Sequence, residues 1–213
     1  MPYSVKEIFY TLQGEGTNAG RPAVFCRFSG CNLWSGREED RLAAACAFCD
    51  TDFKGTDGPG GGTFLTAKSL ADAVLGRWPK SSTDQRSRFV VLTGGEPTLQ
   101  VDDKLTEALH GLGFQVAVET NGTRLPPPGV DWITVSPKAG STLVCTTGDE
   151  LKLVYPQNGL DPGLFEGLSF GQFLLQPLDG PDRDHSTRLA IEYCLAHPRW
   201  RLSLQTHKYI GIR

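Results

Sequence analysis

The stretch Arg88-Phe89-Val90-Val91-Leu92-Thr93, followed at once by Gly94-Gly95-Glu96-Pro97, decides the fold class. Its apolar, β-branched run reads as a buried strand, and the glycines and proline read as a turn at that strand's carboxyl end. Residues 102–111 then carry helical spacing and residues 114–119 return as a strand. Such a strand-turn-helix-strand unit pairs its strands in parallel.

Outward from this unit, further strands are predicted at 132–135, 151–155, 170–175 and 201–204, with helices at 67–78 and 186–196. Thr66 is placed to cap the first of these helices, whose Leu70, Val74 and Trp78 share one face. Six late strands with three strong helices predict an α/β fold, an incomplete (partial) barrel of about six parallel strands, because the regular part starts only near Thr66. A complete eight-stranded barrel takes about 250 residues. Two N-terminal strands, 5–10 and 23–28, come first, joined by the loop Gln13-Gly14-Glu15-Gly16-Thr17. Residues 29–51 hold three cysteines without a sustained period, and the glycine-dense run 55–62 reads as a flexible surface connector. All 213 residues are expected in one domain.

Composition narrows the function. The chain is 39% hydrophobic and 21% charged, with 25 glycines and 14 prolines scattered rather than periodic, which excludes collagen, coiled coil and wholesale disorder. Lys plus Arg total 21 against 24 for Asp plus Glu, so no overall positive field draws in nucleic acid or anionic lipid. No apolar run approaches the roughly 18 residues of a membrane span, and residues 1–10 alternate polar and apolar, unlike a signal peptide. A cytoplasmic protein without membrane or nucleic-acid partners is expected.

In parallel α/β sheets reactive groups gather at the carboxyl ends of strands. Thr93-Gly94-Gly95-Glu96, Glu119-Thr120-Asn121, Ser136-Pro137-Lys138, Gln176-Pro177-Leu178-Asp179 and Gln205-Thr206-His207 all fall there. One such tip is ordinary turn and capping chemistry; five facing one mouth suggest a site.

Six cysteines in a reducing compartment are not three disulfides. Cys145 and Cys194 read as small buried hydrophobes. Cys46-Ala47-Phe48-Cys49 brings two sulfurs together, and Cys31 precedes them by a long excursion. Soft sulfur ligands select zinc, copper(I) or an iron-sulfur cluster. Structural zinc wants a fourth ligand, yet the nearest, Cys26, alternates onto the face opposite Arg27. Three cysteines on a four-iron cluster leave one iron open. Spacing alone does not separate zinc from iron-sulfur.

Cys31-x14-Cys46-x2-Cys49, Phe48 before the last cysteine, and Gly94-Gly95-Glu96-Pro97 together resemble the radical S-adenosylmethionine superfamily, although its usual spacing is Cys-x3-Cys-x2-Cys. The opening Phe9-Tyr10-Thr11-Leu12-Gln13-Gly14-Glu15-Gly16 and the ending Leu204-Gln205-Thr206-His207-Lys208-Tyr209 resemble 7-carboxy-7-deazaguanine synthases, some of which have an enlarged cluster loop. The resemblance runs nearly end to end.

It implies a lyase that converts 6-carboxy-5,6,7,8-tetrahydropterin to 7-carboxy-7-deazaguanine with loss of ammonia, on the route to queuosine. A 5'-deoxyadenosyl radical takes hydrogen from C6 and S-adenosylmethionine is regenerated. The implied cofactors are a 4Fe-4S cluster on Cys31, Cys46 and Cys49, S-adenosylmethionine, and magnesium at Thr51. Gly94, Gly95 and Glu96 then face the methionine part of S-adenosylmethionine, with Glu96 suited to its amine. Phe48 and the backbone around it, through Asp50, border the adenine. Ser136, Pro137 and Lys138, with Gln176, Pro177, Leu178 and Asp179, serve the ribose and carboxylate. Leu12, Gln13, Gly14 and Glu15 match the substrate loop. Arg27 carries a fixed fork for the substrate carboxylate. Thr93, His207 and the terminal carboxylate of Arg213 are further substrate candidates. Implied partners are an external reductant such as a flavodoxin or ferredoxin, and a second copy in a homodimer. The charged residues Arg37 to Arg41 of the enlarged loop read as a solvated helical turn or a reductant dock. Two other readings compete: a radical activating enzyme acting on a protein, and a zinc-bearing interaction module using Cys26, Cys31, Cys46 and Cys49.

Overall fold

The computed structural model describes residues 2–81 and 85–213; Met1 of the alternating opening lies outside them. β1 (Tyr3–Leu12) pairs antiparallel with β2 (Pro22–Phe28) on one side and with β3 (Gly62–Phe64) on the other. From β2 onward every pairing is parallel, through β4 (Phe89–Gly94), β5 (Gln115–Thr120), β6 (Trp132–Val135), β7 (Thr147–Tyr155), β8 (Ser169–Pro177) and β9 (Trp200–Leu202). The sheet order is β3-β1-β2-β4-β5-β6-β7-β8-β9, open between β3 and β9. It is the incomplete α/β barrel expected, with one difference. Seven strands run parallel rather than about six, because β2 aligns with β4 from Val24 opposite Val90 to Phe28 opposite Gly94. Alternation in residues 23–28 reveals a buried face but not a direction.

The helices cover the outer face. α1 (Ala67–Leu75) begins in a capping box in which Thr66 and Ser69 each bond the other's backbone. It ends before Trp78, which is nevertheless buried edge-on against Phe114. α2 (Asp103–Gly111) is capped by the Asp102 carboxylate on Leu105 N. Together these helices bury Ile8, Val24, Cys26, Leu92, Leu105 and Val118. α3 (Arg183–Ala196) covers Leu151, Leu153, Leu175 and Trp200 on the later strands. Fully burying each such leucine contributes about 1.5–3 kcal/mol. Cys145 joins this second core; Cys194 is only half-buried at its edge.

The glycine-rich segment is not a loose connector. Gly58 N donates to Lys6 O and Ile8 N to Pro59 O, both at 2.9 Å, so the run lies along β1. A Cβ at Gly58 or Gly61 would strike Lys6 O, so side-chain-free positions permit the approach.

On the inner face the period of two gives layers. Ala23, Phe25, Phe89, Val91 and Ala117 form an apolar base with Phe9 and Trp132. Two residues further along the strands come Arg27, Thr93 and Glu119, where the face turns polar.

Candidate active site

A cavity of about 550 Å³ opens at the carboxyl ends of the parallel strands. Its wall includes Leu12, Gln13, Gly14, Glu15, Arg27, Thr93, His207 and Arg213, and also Phe48, Asp50, Thr51, Gly94, Gly95, Ser136, Lys138, Gln176, Pro177, Leu178 and Asp179. Cys31, Cys46 and Cys49 share the same wall.

Two of the expected residues lie behind it. Glu96 is fully buried: Oε1 accepts from Thr98 N, Thr98 Oγ1 and Thr120 Oγ1, and Oε2 accepts from Asn121 N at 2.8 Å. Its carboxylate ties the β4 tip to the β5 tip. Pro137 is also buried and meets the cavity only through its neighbours Ser136 and Lys138. Gly94 and Gly95 have ordinary negative backbone angles, so conformational freedom is not their role. A Cβ at Gly94 would sit 2.6 Å from Phe28 O, and one at Gly95 would strike Gly30 O. The pair lets the β4 tip approach the segment leading to Cys31, and Glu96 N fixes it by donating to Gly30 O at 2.9 Å.

The floor is a buried charge network. Lys152 on β7 ion-pairs with Glu15 and lies 3.7 Å from Glu119. Gln13 Nε2 donates to Glu119 at 3.0 Å, and Gln205 Nε2 donates to Glu15 at 2.9 Å. Burial pushes the Glu15 carboxyl up, but the Lys152 charge and the hydrogen bonds hold it well below the usual carboxylate range. Lys152 is itself held above its ordinary value: burial disfavours its charge, and Glu119, Glu15 and Glu150 outweigh that. Arg27 is held at one nitrogen, Nε to Glu7 at 3.0 Å; among the described residues its terminal nitrogens have no hydrogen-bond partner. They remain available at the wall.

The thiol wall is electropositive on one side. The two sulfurs of the turn act on each other: Cys46 lowers the Cys49 thiol, and Cys49 together with burial raises that of Cys46. Burial pushes the Cys31 thiol up, although its sulfur accepts from Leu33 N. Lys138 donates to Ser136 O and Oγ at 2.6 and 2.7 Å, and among the described residues no carboxylate pairs with it. Burial lowers its amine accordingly. Cys26, by contrast, is fully buried among Ile8, Val24 and Leu92 on the other side of β2. Among the described residues no three Cys, His, Asp or Glu side chains converge on a single-ion site.

The C-terminal segment closes the mouth. α4 (Thr206–Ile210) stands where a bare strand tip was expected. Gly14 O accepts from Thr206 N and Oγ1, and a Cβ at Gly14 would run into the His207 ring. Lys208 pairs with both Asp50 and Asp179, at 2.6 and 2.7 Å. Arg213 ion-pairs with Glu7, and its main-chain oxygen accepts from Thr11 Oγ1 at 3.0 Å.

No family model matches the chain. Curated relatives named 7-carboxy-7-deazaguanine synthase do: 64% identical in Caulobacter vibrioides and 62% in Bordetella pertussis, each over 212 residues and the whole of both chains. The chain belongs to the 7-carboxy-7-deazaguanine synthase family. It is accordingly an enzyme. The crystal structure of QueE from Escherichia coli superposes with a TM-score of 0.70 at 32% identity, covering 97% of this chain and 95% of that one. The open, mostly parallel sheet is thus a fold this family shares.

Residues absent from the expected set also reach the cavity, among them Glu7, Glu119, Lys152, Gln205 and Lys208. Glu119 and Gln205 lie on strand tips already marked. Lys152 had one available signal, a cation interrupting the apolar run Leu151 to Tyr155.

Proposed function

We propose that this chain converts 6-carboxy-5,6,7,8-tetrahydropterin to 7-carboxy-7-deazaguanine with loss of ammonia; the names of its relatives give the product, and the resemblance of its motifs implies the substrate. The observation that carries the reading is the meeting of three cysteines and a charged, hydrogen-bonding floor in one cavity, with the fourth nearby cysteine, Cys26, behind the sheet. Three soft donors with one position left open fit a 4Fe-4S cluster that takes S-adenosylmethionine at its fourth iron. Held by Cys31, Cys46 and Cys49, such a cluster with S-adenosylmethionine would supply the radical chemistry for hydrogen abstraction from the pterin.

The chain's own residues bind and orient. Lys138 offers an unpaired ammonium, with Ser136 beside it, to the carboxylate of S-adenosylmethionine. Gln176 Oε1 is buried and, among the described residues, unpartnered, an acceptor suited to a ribose hydroxyl. Arg27's terminal nitrogens suit the pterin carboxylate. Gln13, Glu15, Glu119 and Lys152 offer alternating donors and acceptors to the amino-pyrimidinone edge, with Thr93 and His207 alongside. Thr51 Oγ1, 3.5 Å from Asp50 Oδ1, suits a magnesium ion that keeps waters and shares substrate oxygens. An external one-electron donor, such as a flavodoxin or ferredoxin, and a homodimeric, cytoplasmic enzyme of one domain complete the reading.

Anaerobic turnover of the pterin with limiting S-adenosylmethionine tests it. Many product molecules per S-adenosylmethionine are expected. Stoichiometric consumption without pterin product would favour an activating enzyme, and a colourless zinc protein would favour the interaction module.

A further inference from the structure

The long excursion between Cys31 and Cys46 is folded around one side chain. Arg41 lies on the 3-10 helix Glu38–Ala43. Its Nε donates to both Glu38 oxygens, at 2.7 and 2.9 Å. Its Nη1 donates to the main-chain oxygens of Ala47 and Cys49, at 2.8 and 2.9 Å. The guanidinium carbon sits 4.2 Å over the Trp34 ring. Trp34 is anchored in turn: it is buried, donates to Arg37 O at 3.0 Å and meets Phe53 edge-on.

The turn that Arg41 grips is weak by itself. Its internal main-chain bond, Cys49 N to Cys46 O, is 3.4 Å long, at the limit for such a bond. A planar guanidinium can hold two carbonyls and a carboxylate at once, whereas an ammonium holds a point. The loop's other arginine, Arg37, is exposed and pairs only loosely with Glu39, at 3.6 Å.

We propose that Arg41 is a positioning residue that holds the Cys46–Cys49 turn in its metal-receiving shape, making the enlarged loop an internal brace for the cluster. This rests on the cluster reading above. Outer-shell partners of metal ligands characteristically change metal affinity about 10- to 100-fold.

The test is the rate of iron release from the anaerobic holoenzyme to a chelator, followed by bleaching of the cluster absorbance. Arg41→Gln is expected to release iron about 10- to 100-fold faster, with the protein's thermal midpoint unchanged. Arg41→Lys should restore part of the loss, Glu38→Gln should give a smaller acceleration, and Arg37→Gln should match the unaltered enzyme. Release from Arg41→Gln at the unaltered rate, or equal acceleration by Arg37→Gln, would overturn the brace while leaving the cluster reading standing. If Arg41→Gln does not fold, Glu38→Gln decides between the same outcomes. An unaltered enzyme without iron would refute the cluster reading and the brace together.

Discussion

The floor of the cavity and the loop at its rim are both polar, yet they are held by different means. The two floor residues to which the others are tied, Lys152 on β7 and Glu119 on β5, stand on strands whose other face is the apolar core: Lys152 lies between the buried Leu151 and Leu153. The core fixes the backbone, and the backbone aims the charges. The rim, from Cys31 to Thr51, has no strand and only a six-residue 3-10 helix, none of whose residues is buried. Its shape comes from side-chain ties, Arg41 to main-chain oxygens within the loop and Lys208 from outside to the Asp50 carboxylate. The floor should therefore couple binding to global stability, and the rim should couple to cofactors with little effect on the fold.

Lys152→Met should have the largest effect. It strands Glu15 and Glu119 in a low-dielectric site, and breaking a buried pair typically costs about 3–5 kcal/mol. Thermal denaturation and turnover should both fall; a stable, active variant would break the contrast. Arg27→Lys, on the wall, keeps the charge but loses the free fork. Pterin affinity should drop about 10- to 100-fold by titration, the equivalent of one or two charge-assisted hydrogen bonds, with cluster content unchanged. At the rim, Thr51→Ala should lower turnover and alter its magnesium dependence while the thermal midpoint and iron content stay the same. An unchanged magnesium response would remove Thr51 from the metal site. Thr66→Ala touches neither region. Loss of its capping box should cost about 1 kcal/mol in a denaturant titration and leave turnover per folded enzyme as it was.

The same contrast explains what the sequence made legible. β4, β5 and β6 announced themselves through β-branched runs, α1 through spacing and the cap Thr66, and α2 through spacing alone. β3 did not, because Gly62-Thr63-Phe64 is too short to show a period. The parallel direction of β2 was hidden, since alternation describes faces rather than orientation. Alternation also cannot tell a solvated face from a polar cavity, so Lys152 read as one more strand residue. The loop's cysteines were visible as spacing. Its grip on them, through Arg41, was not, because side-chain contacts to backbone carbonyls leave no periodic trace. Glu96 was visible as part of the strand tip, but its burial under Thr98, Thr120 and Asn121 depends on how β4 and β5 align.

The most direct test is the electron paramagnetic resonance spectrum of the reduced, anaerobically prepared enzyme before and after adding S-adenosylmethionine. A 4Fe-4S signal that shifts on addition is predicted, retained in Cys26→Ser and lost in Cys31→Ser. A signal indifferent to S-adenosylmethionine, or zinc with no iron signal at all, would contradict the account.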